Sequence, residues 1–309
     1  MQVPRPVLIT GATGQVGGAL VSLLRETGRP LLTPGRHDLD LSDPDSIRTY
    51  IRAHEPGWIL NPAAYTQVDK AESDEASAAA INAIAPGIIG EAAASVGAGV
   101  VHFSTDYVFS GEGTIPWKED DPKAPQNVYG ATKLAGEQAL AASGAPHVIF
   151  RTSWVYAAGG KNFPLTILRL AGDRAQMNIV ADQIGAPTLA DDLAALTLHT
   201  IVAAERGGDP GDVLRTGLGG VYHACNAGET SWCGFANEVL RLAQQCEPKK
   251  TFAKLVPIPT SDYPTPAKRP LNSRLNCHRI HKDLGFVMPT WTSGTERFIS
   301  QLFPDTRRD

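Results

Sequence analysis

The sequence predicts an α/β fold: a doubly wound parallel sheet with a smaller, interleaved C-terminal lobe. Three observations carry that expectation. Short apolar runs alternate with helical patterns through the first half of the chain, the mark of repeated βα units and a parallel sheet. The first run, Val7-Leu8-Ile9-Thr10, passes directly into Gly11-Ala-Thr-Gly14-Gln-Val-Gly17 and then into an apolar helical pattern. After Arg151 the alternation dissolves into helices, short strands and Pro-rich loops, with Pro257, Pro259, Pro264, Pro266 and Pro270 crowding one stretch.

In chain order the pattern predicts a strand at Val7–Thr10, a helix from about Gly14, a strand at Leu31–Thr33, and a helix at Pro44–His54 with Pro in its first turn. A strand at Trp58–Ala63, a helix from about Ala76 to Val96, a strand at Val100–Phe103, a helix at Val128–Ala142 and a strand at Val148–Thr152 follow. Residues 1–156 are expected to form a dinucleotide-binding domain and residues 157–309 mainly a substrate-binding lobe. Residues from about 190 to 226 should return to the first domain, with Tyr222–Asn226 rejoining its sheet.

The dinucleotide expectation comes from the order strand, glycine loop, helix. Gly11 can take the tight turn, Gly14 lets the backbone approach a pyrophosphate, and Gly17 lets the helix sit close on the strand while its first N–H groups face the anion.

Composition narrows the class. With 309 residues and 42% hydrophobic content, the chain can build a full core in one large or two intimately joined domains. A net charge of −4, with basic doublets as short as Lys249-Lys250, excludes a typical nucleic-acid binder. No apolar run approaches the roughly 18 residues that cross a bilayer, so no membrane association is expected. Cys225, Cys233, Cys246 and Cys277 lack CxxC spacing and no secretory segment opens the chain. They read as reduced thiols of a cytoplasmic protein, with no metal among them.

Tyr129-Gly-Ala-Thr-Lys133 places a phenol and an ammonium one turn apart on the same helix face. A phenol of reference pKa about 10 is a sluggish acid near neutrality. A fixed cation is therefore expected to stabilise its phenolate, and lowering the pKa by about three units takes roughly 4 kcal/mol.

In doubly wound folds the chemistry collects at the carboxyl ends of strands. After the second strand comes Gly35-Arg36-His-Asp38-Leu-Asp40-Leu41. An Arg there pairs with the extra phosphate of NADPH, whereas an acidic residue takes the ribose diol of NADH. Arg36 favours NADPH, with NADH still open, and Asp40 and Leu41 would border the adenine. Beyond Asn61, the small residues up to Ala64, then Tyr65 and Thr66, offer a ledge for a cofactor backbone. Ser104-Thr105-Asp106 sets a hydroxyl beside a carboxylate, where it can hydrogen-bond a reacting carbonyl. Trp154, after Arg151-Thr-Ser153, can line a sugar or base pocket.

Glycine loop, Ser-Thr-Asp and Tyr-x3-Lys in that order resemble the extended short-chain dehydrogenase/reductases, whose sheet is of the Rossmann type. The segments 61–72, Phe103–Phe109, Arg151–Tyr156, Asp182–Thr188, Gly228–Trp232 and Tyr263–Arg274 are similar to the dTDP-4-dehydrorhamnose reductase (RmlD) family, and the likeness covers essentially the whole chain. The resemblance implies a catalytic triad of Thr105, Tyr129 and Lys133, with Asp106 and Trp154 on the deoxysugar nucleotide. It also implies that Gly14, Gln15, Val16, Asp40, Leu41, Ala64, Tyr65, Thr66 and Phe103 line the cofactor. The implied reaction is reduction of dTDP-6-deoxy-L-lyxo-4-hexulose to dTDP-L-rhamnose, the last step of a synthesis that feeds lipopolysaccharide and other cell-surface polysaccharides.

Two departures qualify the likeness. Some members hold Mg²⁺ through carboxylates at a dimer interface, one of them early in the first helix. This chain has Gly18-Ala19 there and only Asp191 remaining, so bound Mg²⁺ is not expected and the chain is a monomer or a homodimer. Pro62 replaces a more usual Ala and removes a backbone donor. A 4,6-dehydratase is disfavoured by Tyr107, which stands where that activity needs a Glu. A related epimerase, and a regulatory nucleotide-binding subunit like the partner of methionine adenosyltransferase, stay open. Arg269 and Arg274 either reach the substrate diphosphate or brace the Pro-rich loop.

Overall fold

The structure is a computed structural model that describes residues 5–207 and 209–304. Six parallel strands form the central sheet: β1 (Val7–Ile9), β2 (Leu31–Leu32), β3 (Trp58–Asn61), β4 (Gly99–Thr105), β5 (His147–Thr152) and β6 (Gly220–His223). Their order is β6-β5-β4-β3-β1-β2. The chain leaves β1 toward one edge and returns on its other side, so a crevice opens at the carboxyl ends between β1 and β3. The third strand stops at Asn61 rather than Ala63, because Pro62 has no N–H to continue the ladder.

Alternation along each strand builds two cores. Ile9, Leu60, Val101, Phe103 and Phe150 pack against Leu20 and Leu24 of α1 (Gln15–Glu26) and a later helix described below. On the other face Leu8, Ile59, Val100 and Ile149 meet α2 (Pro44–His54), α3 (Ala85–Val96) and α4 (Val128–Ala142). Fully burying each such side chain is worth about 1.5–3 kcal/mol, which makes this two-sided sheet the rigid frame of the site.

Beyond the fifth strand come α5 (Phe163–Asp173), α6 (Ala190–Arg206), α7 (Trp232–Cys246) and α8 (Trp291–Leu302). Leu193 and Ile201 of α6 join the first core, on the face that α1 covers. The other three helices, with the parallel strand pair Gln176–Val180 and Lys254–Ile258, enclose apolar clusters around Tyr156, Phe235 and Phe298 and around Ile167 and Met177.

One expectation is corrected. The continuous helical run Glu75–Val96 spans 22 residues and contains an 18-residue window of mean hydropathy 1.4, long and apolar enough by length and composition to cross a membrane. Its apolar character comes from isoleucine and alanine together, and Ala85, Ile89, Ala92 and Ala93 are buried in the second core beside α2 and α4. All four cysteines are free thiols, with the Cys225 and Cys277 sulfurs 3.4 Å apart.

Candidate active site

Gly11 adopts a left-handed backbone (φ +56°), and the Gly14 N–H donates to its carbonyl at 2.9 Å. A Cβ on Gly17 would lie 2.1 Å from the Gly11 oxygen, and one on Gly11 3.0 Å from Ala63. Side chains at either place would drive the loop off α1 or off the end of β3. Gly14 is the N-cap of α1 and supplies no side-chain cap, so the first-turn N–H groups remain for an anion. The loop therefore fits a dinucleotide pyrophosphate. Gln15 is held by donating to the Val155 carbonyl at 3.3 Å and accepting from Asn162 at 2.9 Å, and Val16 packs on the core.

At the end of β2, Arg36 is exposed and Leu41 half-buried. Asp40 Oδ1 accepts from the Ser42 hydroxyl at 2.6 Å and the Ser42 N–H at 2.8 Å. Those bonds hold its carboxyl below the ordinary range, with a smaller pull from Arg36. On the ledge after β3, a π turn at Ala80–Ile84 presents Asn82, which clamps Tyr65 by accepting from its N–H at 2.8 Å and donating to its carbonyl at 3.1 Å. Ala64 is half-buried and Thr66 exposed beside it.

The Asn127 side chain caps α4 by accepting from Gly130 N–H at 2.8 Å, and a Cβ on Gly130 would meet the Tyr107 carbonyl at 2.2 Å. The helix therefore seats flush on the turn after β4, with Tyr129 edge-on against Tyr107 at 5.5 Å. Thr105 Oγ1 donates to Asp106 Oδ1 at 3.1 Å and accepts from Tyr107 N–H at 3.2 Å. Asp106 Oδ2 is buried and has no hydrogen-bond partner among the described residues. Burial raises that carboxyl to about 6, with Ser273 and Thr105 pulling it back. Ser273 lies close, although its hydroxyl completes no regular hydrogen bond.

The expected lowering of the phenol by its lysine is not what the structure contains. Burial pushes Tyr129 well above its ordinary range, Asp106 adds to the rise, and a hydrogen bond with Thr105 opposes it. Lys133 Nζ, 1% exposed, donates to the Phe103 carbonyl at 2.7 Å and lies 3.2 Å from His102 Nε2. Burial lowers the lysine itself to about 8, against the pull of Glu137.

Trp154 has a left-handed backbone (φ +49°), uncommon for so large a residue. Its indole stacks on Trp232 at 3.7 Å, and a Cβ on Gly185 would come within 3.0 Å of it. The two arginines of the Pro-rich loop are engaged within the chain. Arg269 donates to Asp69 at 2.6 Å and to the Tyr107 hydroxyl at 3.2 Å, and Arg274 to Glu229 at 2.7 Å. Asp191 accepts from Gln301 at 2.7 Å, and no cluster of three metal-ligating side chains occurs among the described residues.

Sequence reasoning missed His102 and the buried Glu137–Arg151 pair. Each carried a faint signal: His102 is a lone ionisable residue inside an apolar run, and Glu137 extends the Tyr129–Lys133 spacing by one more turn.

A phosphate-ready glycine loop and a phenol-lysine helix on a doubly wound sheet define a nicotinamide-dependent oxidoreductase of the Rossmann type. The chain belongs to the RmlD family, whose profile, described as the RmlD substrate binding domain, matches residues 5–303. It is 44% identical over 304 residues to the dTDP-4-dehydrorhamnose reductase of Escherichia coli (strain K12), covering 97% of this chain and 99% of that protein. It superposes on the crystal structure of a dTDP-4-dehydrorhamnose reductase from Clostridium acetobutylicum with a TM-score of 0.86 and 34% identity, covering 96% of this chain and 99% of that one. The Bacillus anthracis dTDP-4-dehydrorhamnose reductase, solved in complex with NADP, matches with a TM-score of 0.86 and 33% identity over 96% of this chain and 99% of that one.

Proposed function

We propose that this chain reduces the 4-keto group of dTDP-4-dehydro-6-deoxy-L-mannose to give dTDP-L-rhamnose, with NADPH as the cofactor. One observation carries the reading: Thr105, Asp106 and Tyr129 gather at the end of β4, and Lys133, one helical turn on from Tyr129, is buried against the Phe103 carbonyl of the same strand.

Bound NADPH supplies hydride to the carbonyl carbon. Tyr129, held protonated at neutral pH by burial and by Asp106, gives its proton to the carbonyl oxygen. A reduction starts from the protonated acid, which a phenol with a reference pKa of about 10 already is at neutral pH. Thr105 orients that oxygen, and the ammonium of Lys133 steadies the phenolate left behind. Asp106 Oδ2, buried and unpaired, is available to a sugar hydroxyl. Trp154, fixed by Trp232, offers a flat wall for the sugar or base. Gly11, Gly14 and Gly17 cradle the pyrophosphate, and Arg36 takes the 2′-phosphate.

Tyr129→Phe should lower kcat by at least about 10² while leaving NADPH binding, followed by its fluorescence, largely intact. An essentially unchanged rate removes this acid from the mechanism. Wild-type protein that binds NADPH but never oxidises it when given the 4-keto sugar nucleotide would instead point to a regulatory subunit.

A further inference from the structure

A buried chain of four polar side chains runs from the end of β1 to Lys133. Thr10 Oγ1 and Asn61 Oδ1 are 2.6 Å apart, Asn61 Nδ2 and His102 Nδ1 3.0 Å, and His102 Nε2 and Lys133 Nζ 3.2 Å. None of the four is more than 2% exposed, so bulk solvent does not compete for these bonds.

Hydrogen-bond chemistry allows this chain two self-consistent states. In the first, Thr10 donates to Asn61 Oδ1, Asn61 Nδ2 donates to His102 Nδ1, and His102 Nε2–H donates to a neutral Lys133 amine. In the second every bond is reversed. The Lys133 ammonium donates to His102 Nε2, Nδ1–H donates to an Asn61 amide turned by half a rotation, and that amide donates to the Thr10 hydroxyl. A mixed chain sets N–H against N–H in a dry interior, which costs a full hydrogen bond at the mismatch. An ammonium has no lone pair and admits only the second direction, whereas the neutral amine can also accept, so loss of the Lys133 proton is what frees the chain to reverse.

His102 stays neutral in both states. Burial pushes its pKa well below the imidazole range, and the charges of Lys133 and, from β5, His147 act in the same direction. The charged group that faces Lys133 from its own helix is Glu137. The Phe103 carbonyl takes a Lys133 hydrogen in either state and so does not tell them apart.

We propose that His102 is a positioning residue of the reduction: it holds the Lys133 ammonium in place one helical turn from Tyr129 and, by changing tautomer, passes the protonation state of Lys133 to Asn61 and Thr10. This rests on the reading of Lys133 as the cation that serves Tyr129, and deepens it.

Removing the imidazole penalises the ammonium more than the neutral amine, because a bond from a charged donor is the stronger. His102→Leu should therefore lower kcat about tenfold. It should also move the alkaline limb of the kcat profile to lower pH, with KM for NADPH little changed. His102→Gln, which keeps one donor and one acceptor, should restore most of both. In cofactor-free protein carrying nitrogen-15-labelled histidine, the His102 ring should remain neutral and move its proton from Nδ1 to Nε2 as pH rises through the Lys133 transition at about 8. A single tautomer across that transition, or a His102→Leu enzyme with an unmoved profile, overturns the proposal. The ring spectrum needs no turnover, so it separates this inference from the loss of rate in Tyr129→Phe that tests the function itself.

Discussion

Lys133 and Arg151 are both buried cations near the carboxyl edge of one sheet, in opposite surroundings. Arg151 is 3% exposed and firmly paired: Nε and Nη2 donate to the two oxygens of Glu137 at 2.9 and 2.6 Å, and Nη1 to the Glu119 carbonyl at 3.0 Å. The Ser104 hydroxyl donates to Glu137 as well. Among the described residues Lys133 is bonded by neutral groups, a carbonyl and an imidazole, although Glu137 sits one turn further along the same helix. That carboxylate is engaged by the arginine. One positive charge is locked and the other left able to come and go, and the role proposed for Lys133, serving a phenol that changes charge, calls for the second environment.

Breaking the locked pair should have the largest effect. Glu137→Leu leaves the Arg151 guanidinium buried without its carboxylate, which typically costs about 3–5 kcal/mol of folding stability. The measurement is a lowered denaturant midpoint with an unchanged slope. A loss of less than about 1 kcal/mol, the range of exposed pairs, would mean that water already reaches Arg151 and that the contrast with Lys133 is not one of burial.

Lys133→Met should act in the opposite sense. The fall of the lysine from 10.5 to about 8 corresponds to roughly 3 kcal/mol withheld from the folded state. Below pH 8 both the folded and the unfolded chain hold this proton, and the full penalty of the buried ammonium is felt. Between about 8 and 10.5 the unfolded chain binds the more protons, so stability climbs with pH and then levels off. Lys133→Met should be the more stable protein at neutral pH, lack this climb and fail to turn over. A flat stability profile for the parent across the window would show a solvated amine.

Half of this contrast is legible in the sequence. Helices α2 and α4 begin and end where the pattern places them because their signals are local: Pro44 at a first turn and Asn127 as a side-chain cap. The glycine loop and the Tyr129–Lys133 spacing are local in the same way. The partners of Lys133 are not, because His102 faces Asn61 only through the register of β4 on β3, where the two are paired. Trp154 and Trp232 likewise stack across a long stretch of chain, and nothing near either residue announces the other. The Glu75–Val96 run does not read as one apolar stretch because Glu75, Asn82 and Glu91 interrupt it and its isoleucines are spread among alanines.

Arg36 carries the comparison to a cation in open solvent. It is exposed at the end of β2, and it influences Asp40 only weakly beside the Ser42 hydrogen bonds. An exposed pair between its guanidinium and a 2′-phosphate is worth about 1 kcal/mol, or roughly fivefold in affinity. Arg36→Ala should therefore raise KM for NADPH about fivefold, leave KM for NADH and kcat unchanged, and not alter stability. Steady-state kinetics with both cofactors measure it. An unchanged KM for NADPH would mean that the phosphate is held by other groups. A loss nearer a hundredfold would mean that the bound nucleotide buries this guanidinium, which would place Arg36 with Arg151, as a cation fixed by its partner, rather than with charges that solvent screens.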